Sequence, residues 1–290
     1  MDSSKMPRVI AEIGCNHKGE MDIAREMIVT AAMFSKVDIV KFQKRNNREL
    51  LSDEQYNAPH PNMAFSYGET YGEHREYLEF DVDQHKQLKK WCEEYGAVYS
   101  TSLWDLTSAK EITSLNPKMI KIPSASNLHW QMLDYLADNF GGEIHVSLGM
   151  TTKEEEEKIV CFFEERRRNQ DLIIYACTSG YPVAFEDICL FEVSRLKDKY
   201  HKRVKAIGFS GHHLGIAADV AALALGAQWF ERHFTLDRTW KGTDHAASLE
   251  PDGMRRMARD VRNVSKALSY KHEDLLDIEK IQREKLKWKG

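Results

Sequence analysis

Two lysines and two histidines carry most of the chemistry that this sequence offers. Lys41 and Lys121 each interrupt an apolar run, VKF and IKI, at a position that strand alternation turns inward. A buried ammonium needs an anion. A protein carboxylate is one source, and Glu12 is the candidate. An anionic ligand is the other, and a molecule bearing both phosphate and carboxylate would engage two lysines together with hydroxyls and backbone donors. Ser124, Ser147, Ser179 and Ser210 offer those hydroxyls. His212 and His233 fall at the ends of adjacent expected strands, so their imidazoles converge despite their separation in sequence. Two neutral imidazoles with a carboxylate or water make a divalent-metal site. His213 and His245 compete as ligands, and spacing alone does not separate them.

These groups need a scaffold that gathers them. Short β-branched runs alternate with segments of helical period along the chain. Strands are expected at Val9 to Ile13, Asp38 to Gln43, Ala97 to Thr101, Met119 to Pro123, Ile144 to Leu148, Leu172 to Cys177, Lys205 to Phe209 and Gln228 to His233. Helical patterns between them include Met21 to Phe34, Gln84 to Tyr95, Thr152 to Arg168, Phe185 to Tyr200, Leu214 to Leu225 and Gly253 to Leu268. The fold class is therefore α/β, a single (β/α)8 TIM barrel, whose functional groups belong at the C-terminal strand ends. Residues 1–270 form the expected catalytic barrel. Residues 271–290 form a short helical tail, with Leu275, Ile278, Ile281 and Leu286 at helical spacing, too short for a second domain. The connection after strand two, Lys44 to Asp83, is long enough to be a lid or binding loop. Its aromatic residues argue that part of it packs, against the alternative of a disordered insertion.

A chain of 290 residues suits one such barrel. Its net charge of -4 supplies no broad basic field, which excludes nucleic acid as an expected partner. No apolar run is long enough for a membrane span and no signal segment opens the chain, so a cytoplasmic location is expected. The 5 cysteines show no CxxC spacing and are expected to be reduced.

The sequence AEIGCNHKG from Ala11, VKFQ from Val40, KIPSASN from Lys121, SLGM from Ser147, CTSGYP from Cys177, IGFSGHHLGI from Ile207, ERHFTLD from Glu231 and the later GTDHAASLEPD form an ordered series. In that order the chain resembles the N-acetylneuraminate (sialic acid) synthase family of nonulosonate synthases, over nearly the entire barrel. The resemblance implies metal-dependent condensation of phosphoenolpyruvate with a sugar aldehyde, an acylamino sugar or related aldose, with release of phosphate. It implies Glu12, Lys41 and Lys121 as catalytic groups. Lys41, Thr101, Lys121, Ser124, Ser147, Ser179 and Ser210 would hold phosphoenolpyruvate, and Gln43, Tyr181 and Asp244 would touch the sugar. His212 and His233 would bind the metal, Mn2+ first, with Mg2+ or Co2+ as alternatives.

Three departures accompany the resemblance. The family's C-terminal antifreeze-like domain, with its arginine near the acylamino group, is not matched. Ser210-Gly211-His212-His213 replaces Ser-Asp-His-Thr, and the usual N-terminal extension is not matched either. The expected partners are further copies of the chain, as dimer or tetramer, or a separate antifreeze-like-domain protein. The departures suggest an acceptor other than ordinary N-acetylmannosamine. A 3-deoxy-octulosonate-phosphate-type synthase is the alternative enzyme, with His60, His74 and Arg75 available for an acceptor phosphate. A noncatalytic sugar-binding barrel is the alternative outside catalysis.

Overall fold

The computed structural model describes residues 6–288. Readings that touch Met1 to Lys5, or the tail's Lys289 and Gly290, lie outside the described residues. Eight parallel strands close into a barrel: β1 (Arg8–Gly14), β2 (Ile39–Lys44), β3 (Val98–Leu103), β4 (Met119–Ile122), β5 (Glu143–Ser147), β6 (Leu172–Cys177), β7 (Ala206–Gly211) and β8 (Trp229–His233). Each pairs with the next, and β8 pairs back onto β1 through Glu12 opposite His233. All eight lie within two residues of the bounds expected from sequence.

Alternation assigns each strand residue to one of two environments. Outward residues such as Val9, Ala11, Val40, Phe42, Ile120, Ile144, Ile174 and Phe230 join the helices in the main core. Each of these Val, Ile and Phe side chains contributes about 1.5–3 kcal/mol by leaving water. Ile10, Ile39, Met119, Ile173, Tyr175, Ala206 and Trp229 form a separate apolar cluster in the lower barrel. Above that plug the buried interior turns polar, at Glu12, Lys41, Ser102, Lys121, Ser147, Ser210 and Glu231. The apolar plug holds the floor; the polar layer faces the C-terminal mouth.

Helices return the chain between strands, among them Met21–Val29, Val82–Glu94, Lys153–Glu165, Ala217–Leu225 and Pro251–Ala267. Thr152 and Glu155 cap the third of these reciprocally, and its acidic first turn suits the positive end of the helix. The pattern expected over Phe185 to Tyr200 is interrupted: a 3-10 turn at Phe185–Asp187 is followed by an α-helix only from Phe191.

The connection after β2 is ordered, which excludes the disordered insertion. It contains short helices at Asn47–Leu50, Asp53–Asn57 and Tyr71–Tyr77, begun by the capping side chains of Asn46, Ser52 and Thr70. Tyr56, Leu78 and Phe80 anchor it as buried residues. The Tyr67 hydroxyl donates to the Lys241 carbonyl at 2.6 Å, tying it to the loop after β8. The tail includes an exposed helix, Asp277–Leu286. Among the described residues no helix is long and apolar enough to cross a membrane.

Candidate active site

A cavity of about 420 Å³ opens at the C-terminal strand ends. Glu12, Lys41, Gln43, Lys121, Ser124, Ser147, Ser179, Tyr181, Ser210, His212, His233 and Asp244 all line it. Of the site residues implied by the family resemblance, Thr101 alone does not. It is fully buried, and its hydroxyl donates to the Tyr99 hydroxyl at 2.5 Å. Tyr99 belongs to the outer core, so Thr101 shares its outward face. Ser102 takes the inward position instead and accepts from Lys41 Nζ at 2.6 Å.

A four-membered charge cluster forms the base of the cavity. Lys41 pairs with Glu12 and lies 3.7 Å from Glu231. Lys121 donates to both Glu231 oxygens at 2.9 Å, and Ser210 donates to the same carboxylate at 3.1 Å. Each lysine thus has a carboxylate of the protein, as the structural alternative required, yet both pairs face open space. Burial pushes the Glu12 carboxyl up to about 7, against the pull of Lys41. Burial also opposes charge on Glu231, but Lys121 and Lys41 outweigh it and hold that carboxyl below its usual range. Burial lowers the Lys121 ammonium.

Next to this cluster the chain makes a hydroxyl-lined recess. Gly149 N–H donates to Ser124 Oγ at 3.1 Å. A Cβ on Gly149 would stand 2.4 Å from Ser179 Oγ and 2.7 Å from Ser124 Oγ, so any side chain there would fill the recess.

The imidazoles of His212 and His233 lie with ring centres 5.4 Å apart. Burial, then the neighbouring His233, holds His212 down to about 3, and burial likewise lowers His233. Both are neutral, the form that binds metal. His212 Nδ1 donates to the Thr178 carbonyl at 2.9 Å, which leaves Nε2 as a free electron pair. His233 Nδ1 is buried without a hydrogen-bond partner, 3.8 Å from Asp244. This donor set fits a divalent ion whose remaining positions are filled by substrate or water. Among the described residues no group of three or more His, Cys, Asp or Glu is arranged as a metal cluster. His213 and His245 point elsewhere: His213 contacts Arg232 and Asp219, and His245 bonds Thr235.

The rim brings Arg75, His60 and His74, read from the sequence as candidates for an acceptor phosphate, together with Arg45 and Trp104, which had no assigned role. Arg45 and Arg75 flank the Trp104 ring at 5.4 and 5.9 Å. Arg45 is held by Glu79 at 2.6 Å, whereas Trp104 Nε1 and Arg75 Nη1 are buried donors without partners. His60 and His74 complete this side. Glu231 and Ser102 each adjoin other polar residues in the chain, so strand alternation alone did not mark them as inward. Arg45 and Trp104 stand on loops, where no period marks them.

A closed (β/α)8 barrel with paired lysines, hydroxyls and a neutral histidine pair at its C-terminal mouth defines an enzyme for small anionic substrates. The NeuB family model matches residues 28–273, and the chain belongs to that family. It is 38% identical over 285 residues to N-acetylneuraminate-9-phosphate synthase of Homo sapiens, covering 96% of this chain and 76% of that one. It is 32% identical to N,N'-diacetyllegionaminic acid synthase of Campylobacter jejuni, covering 91% and 78%. The crystal structure of N-acetylneuraminic acid synthetase from Leptospira borgpetersenii, in complex with citrate, superposes with a TM-score of 0.82 at 26% identity, over 99% of this chain and 94% of that one. A truncated 3-deoxy-D-arabino-heptulosonate 7-phosphate synthase from Thermotoga maritima, at 14% identity and TM-score 0.66, shares the fold. The chain is thus a transferase of the sialic acid and nonulosonate synthase type, condensing phosphoenolpyruvate with a sugar.

Proposed function

We propose that phosphoenolpyruvate lies across Lys41 and Lys121, with its phosphate in the recess of Ser124, Ser147 and Ser179, and that an open-chain sugar aldehyde enters from Gln43, Tyr181 and Asp244. The observation that carries this reading is the meeting of both lysines and both imidazoles in one cavity. His212 and His233 would hold the divalent ion, Mn2+ in the first instance, which when bound polarises the aldehyde oxygen. C3 of the enol then joins the aldehyde carbon, leaving positive charge at C2. Water adds there and phosphate departs. Glu12, which pairs with Lys41, would orient that water and accept its proton. The lysines and serine hydroxyls hold the phosphate as its charge redistributes. Cytoplasmic location and a homo-oligomeric state belong to the same reading; the free cysteines support the first.

The rim favours a finer reading of the acceptor. The Arg75 guanidinium, with its unpartnered Nη1 beside the unpartnered Trp104 Nε1, suits an anion, and the human relative's name describes a phosphorylated product. We propose that the acceptor carries an anionic group, phosphate first, at the end remote from its aldehyde. Product mass and phosphate release, measured with phosphoenolpyruvate, Mn2+ and a panel of free and phosphorylated aldoses, test both readings. Phosphorylated amino sugars should be turned over at least about tenfold more efficiently than the free sugars. Equal or better turnover of free N-acetylmannosamine would overturn the anionic acceptor, and no condensation with any aldose would overturn the reaction.

A further inference from the structure

Tyr175 belongs to the apolar plug of the lower barrel, yet it reaches the charged layer above. The Lys121 ammonium sits 4.1 Å from the centre of its ring. Both side chains are buried, so this cation-π contact is not shared with water. The ring is held from two sides. Its hydroxyl shares a 2.7 Å hydrogen bond with His145 Nδ1, and His145 packs edge-on against Trp229 with ring centres 4.7 Å apart. On the other side Gly208, its register partner on β7, leaves the space it fills: a Cβ there would stand 2.4 Å from Tyr175 Cε1.

Glu231 attracts Lys121 from one direction only, and a flexible ammonium on one carboxylate has no fixed height in the barrel. The ring supplies a second surface. We propose that Tyr175 is a positioning residue of the condensation: its ring face seats the Lys121 ammonium at the level of the cavity, and thereby sets the affinity for phosphoenolpyruvate without touching it. The inference rests on the reading that Lys121 holds phosphoenolpyruvate. The hydroxyl and His145 act only to keep the ring in place.

The test separates ring electronics from shape. Tyr175→Phe keeps the face, and mono-, di- and trifluorinated phenylalanines at position 175 keep its shape while withdrawing its negative charge. Phosphoenolpyruvate dissociation constants are measured by calorimetry in the presence of Mn2+ and without acceptor, with melting temperature as the control for folding. Tyr175→Phe should bind within about twofold of the parent, because the ring face is what matters. Affinity should then weaken stepwise with each fluorine, by about tenfold over the series, at nearly constant melting temperature. Affinity independent of fluorination, or a loss already complete in Tyr175→Phe, would overturn the positioning role. Failure of the parent and of every variant to bind phosphoenolpyruvate would instead refute the underlying assignment of the site and this inference with it.

Discussion

Two buried charge clusters lie on opposite faces of the wall made by β7 and β8. Glu231 belongs to the inner one, with Lys41, Lys121 and Glu12; its neighbour Arg232 belongs to the outer one, with Asp219 and His213. The loop after β7 divides the same way, His212 lining the cavity and His213 the outer cluster. Both clusters set cations against carboxylates at low exposure. They differ in what lies beside them. Arg232 spends its Nη1 donors on Asp219, on the Gly215 carbonyl at 2.9 Å and on His213 at 3.0 Å, with all three side chains 0% exposed. The inner pairs border a cavity in which a ligand can take the place of a partner. A buried ion pair is therefore no guide to function until its access is known. Breaking one partner of the sealed cluster should cost folding, and breaking one of the open cluster should cost chemistry.

Glu12→Gln gives the largest separation of the two costs. It removes a carboxylate without changing its shape, and phosphate release should fall by about 10²–10⁴-fold while phosphoenolpyruvate still binds. Single-turnover phosphate release and calorimetry read these two quantities. Unchanged turnover would remove Glu12 from the chemistry. In the outer cluster Arg232→Met leaves Asp219 buried beside His213 without its guanidinium. Urea unfolding should show a loss of about 3–5 kcal/mol. The protein that remains folded should bind phosphoenolpyruvate with the parent's affinity. A stability loss below about 1 kcal/mol, or a selective loss of that affinity, would erase the division between the clusters.

The division is also where the sequence was legible and where it was not. Lys41 and Lys121 each stand between apolar neighbours, so alternation alone turned them inward, and the structure brings them together. All eight strands were readable because β-branched runs and helical periods do not overlap. Adjacent polar residues defeat that logic. In Ser100-Thr101-Ser102 no apolar residue marks the face, so alternation does not separate Thr101, which the resemblance supplied, from Ser102, which lines the cavity. Glu231-Arg232 carries the same ambiguity, which hid Glu231 as the shared counterion of both lysines. His212 and His213 differ only by one position along a turn that no period describes. Arg45 and Trp104 come from loops, whose side chains meet only after the long connection has folded against the barrel.

The smallest expected effect bears on that one-residue ambiguity. Ser102 accepts from the Lys41 ammonium, and hydrogen bonds to charged groups contribute about 1.5–3 kcal/mol. Ser102→Ala should therefore raise the KM for phosphoenolpyruvate about tenfold or more, since Lys41 loses the acceptor that holds it between Glu12 and Glu231. Thr101→Val keeps the shape and removes only the bond to Tyr99 on the outer face. Its cost should appear as about 1 kcal/mol of stability, with KM within about twofold of the parent. Measured side by side, the two variants test register rather than residue type, because both delete one hydroxyl from the same strand. If the change in KM followed Thr101→Val and spared Ser102→Ala, the inward face of β3 would be the other one, and the anchoring of Lys41 would have to be sought elsewhere.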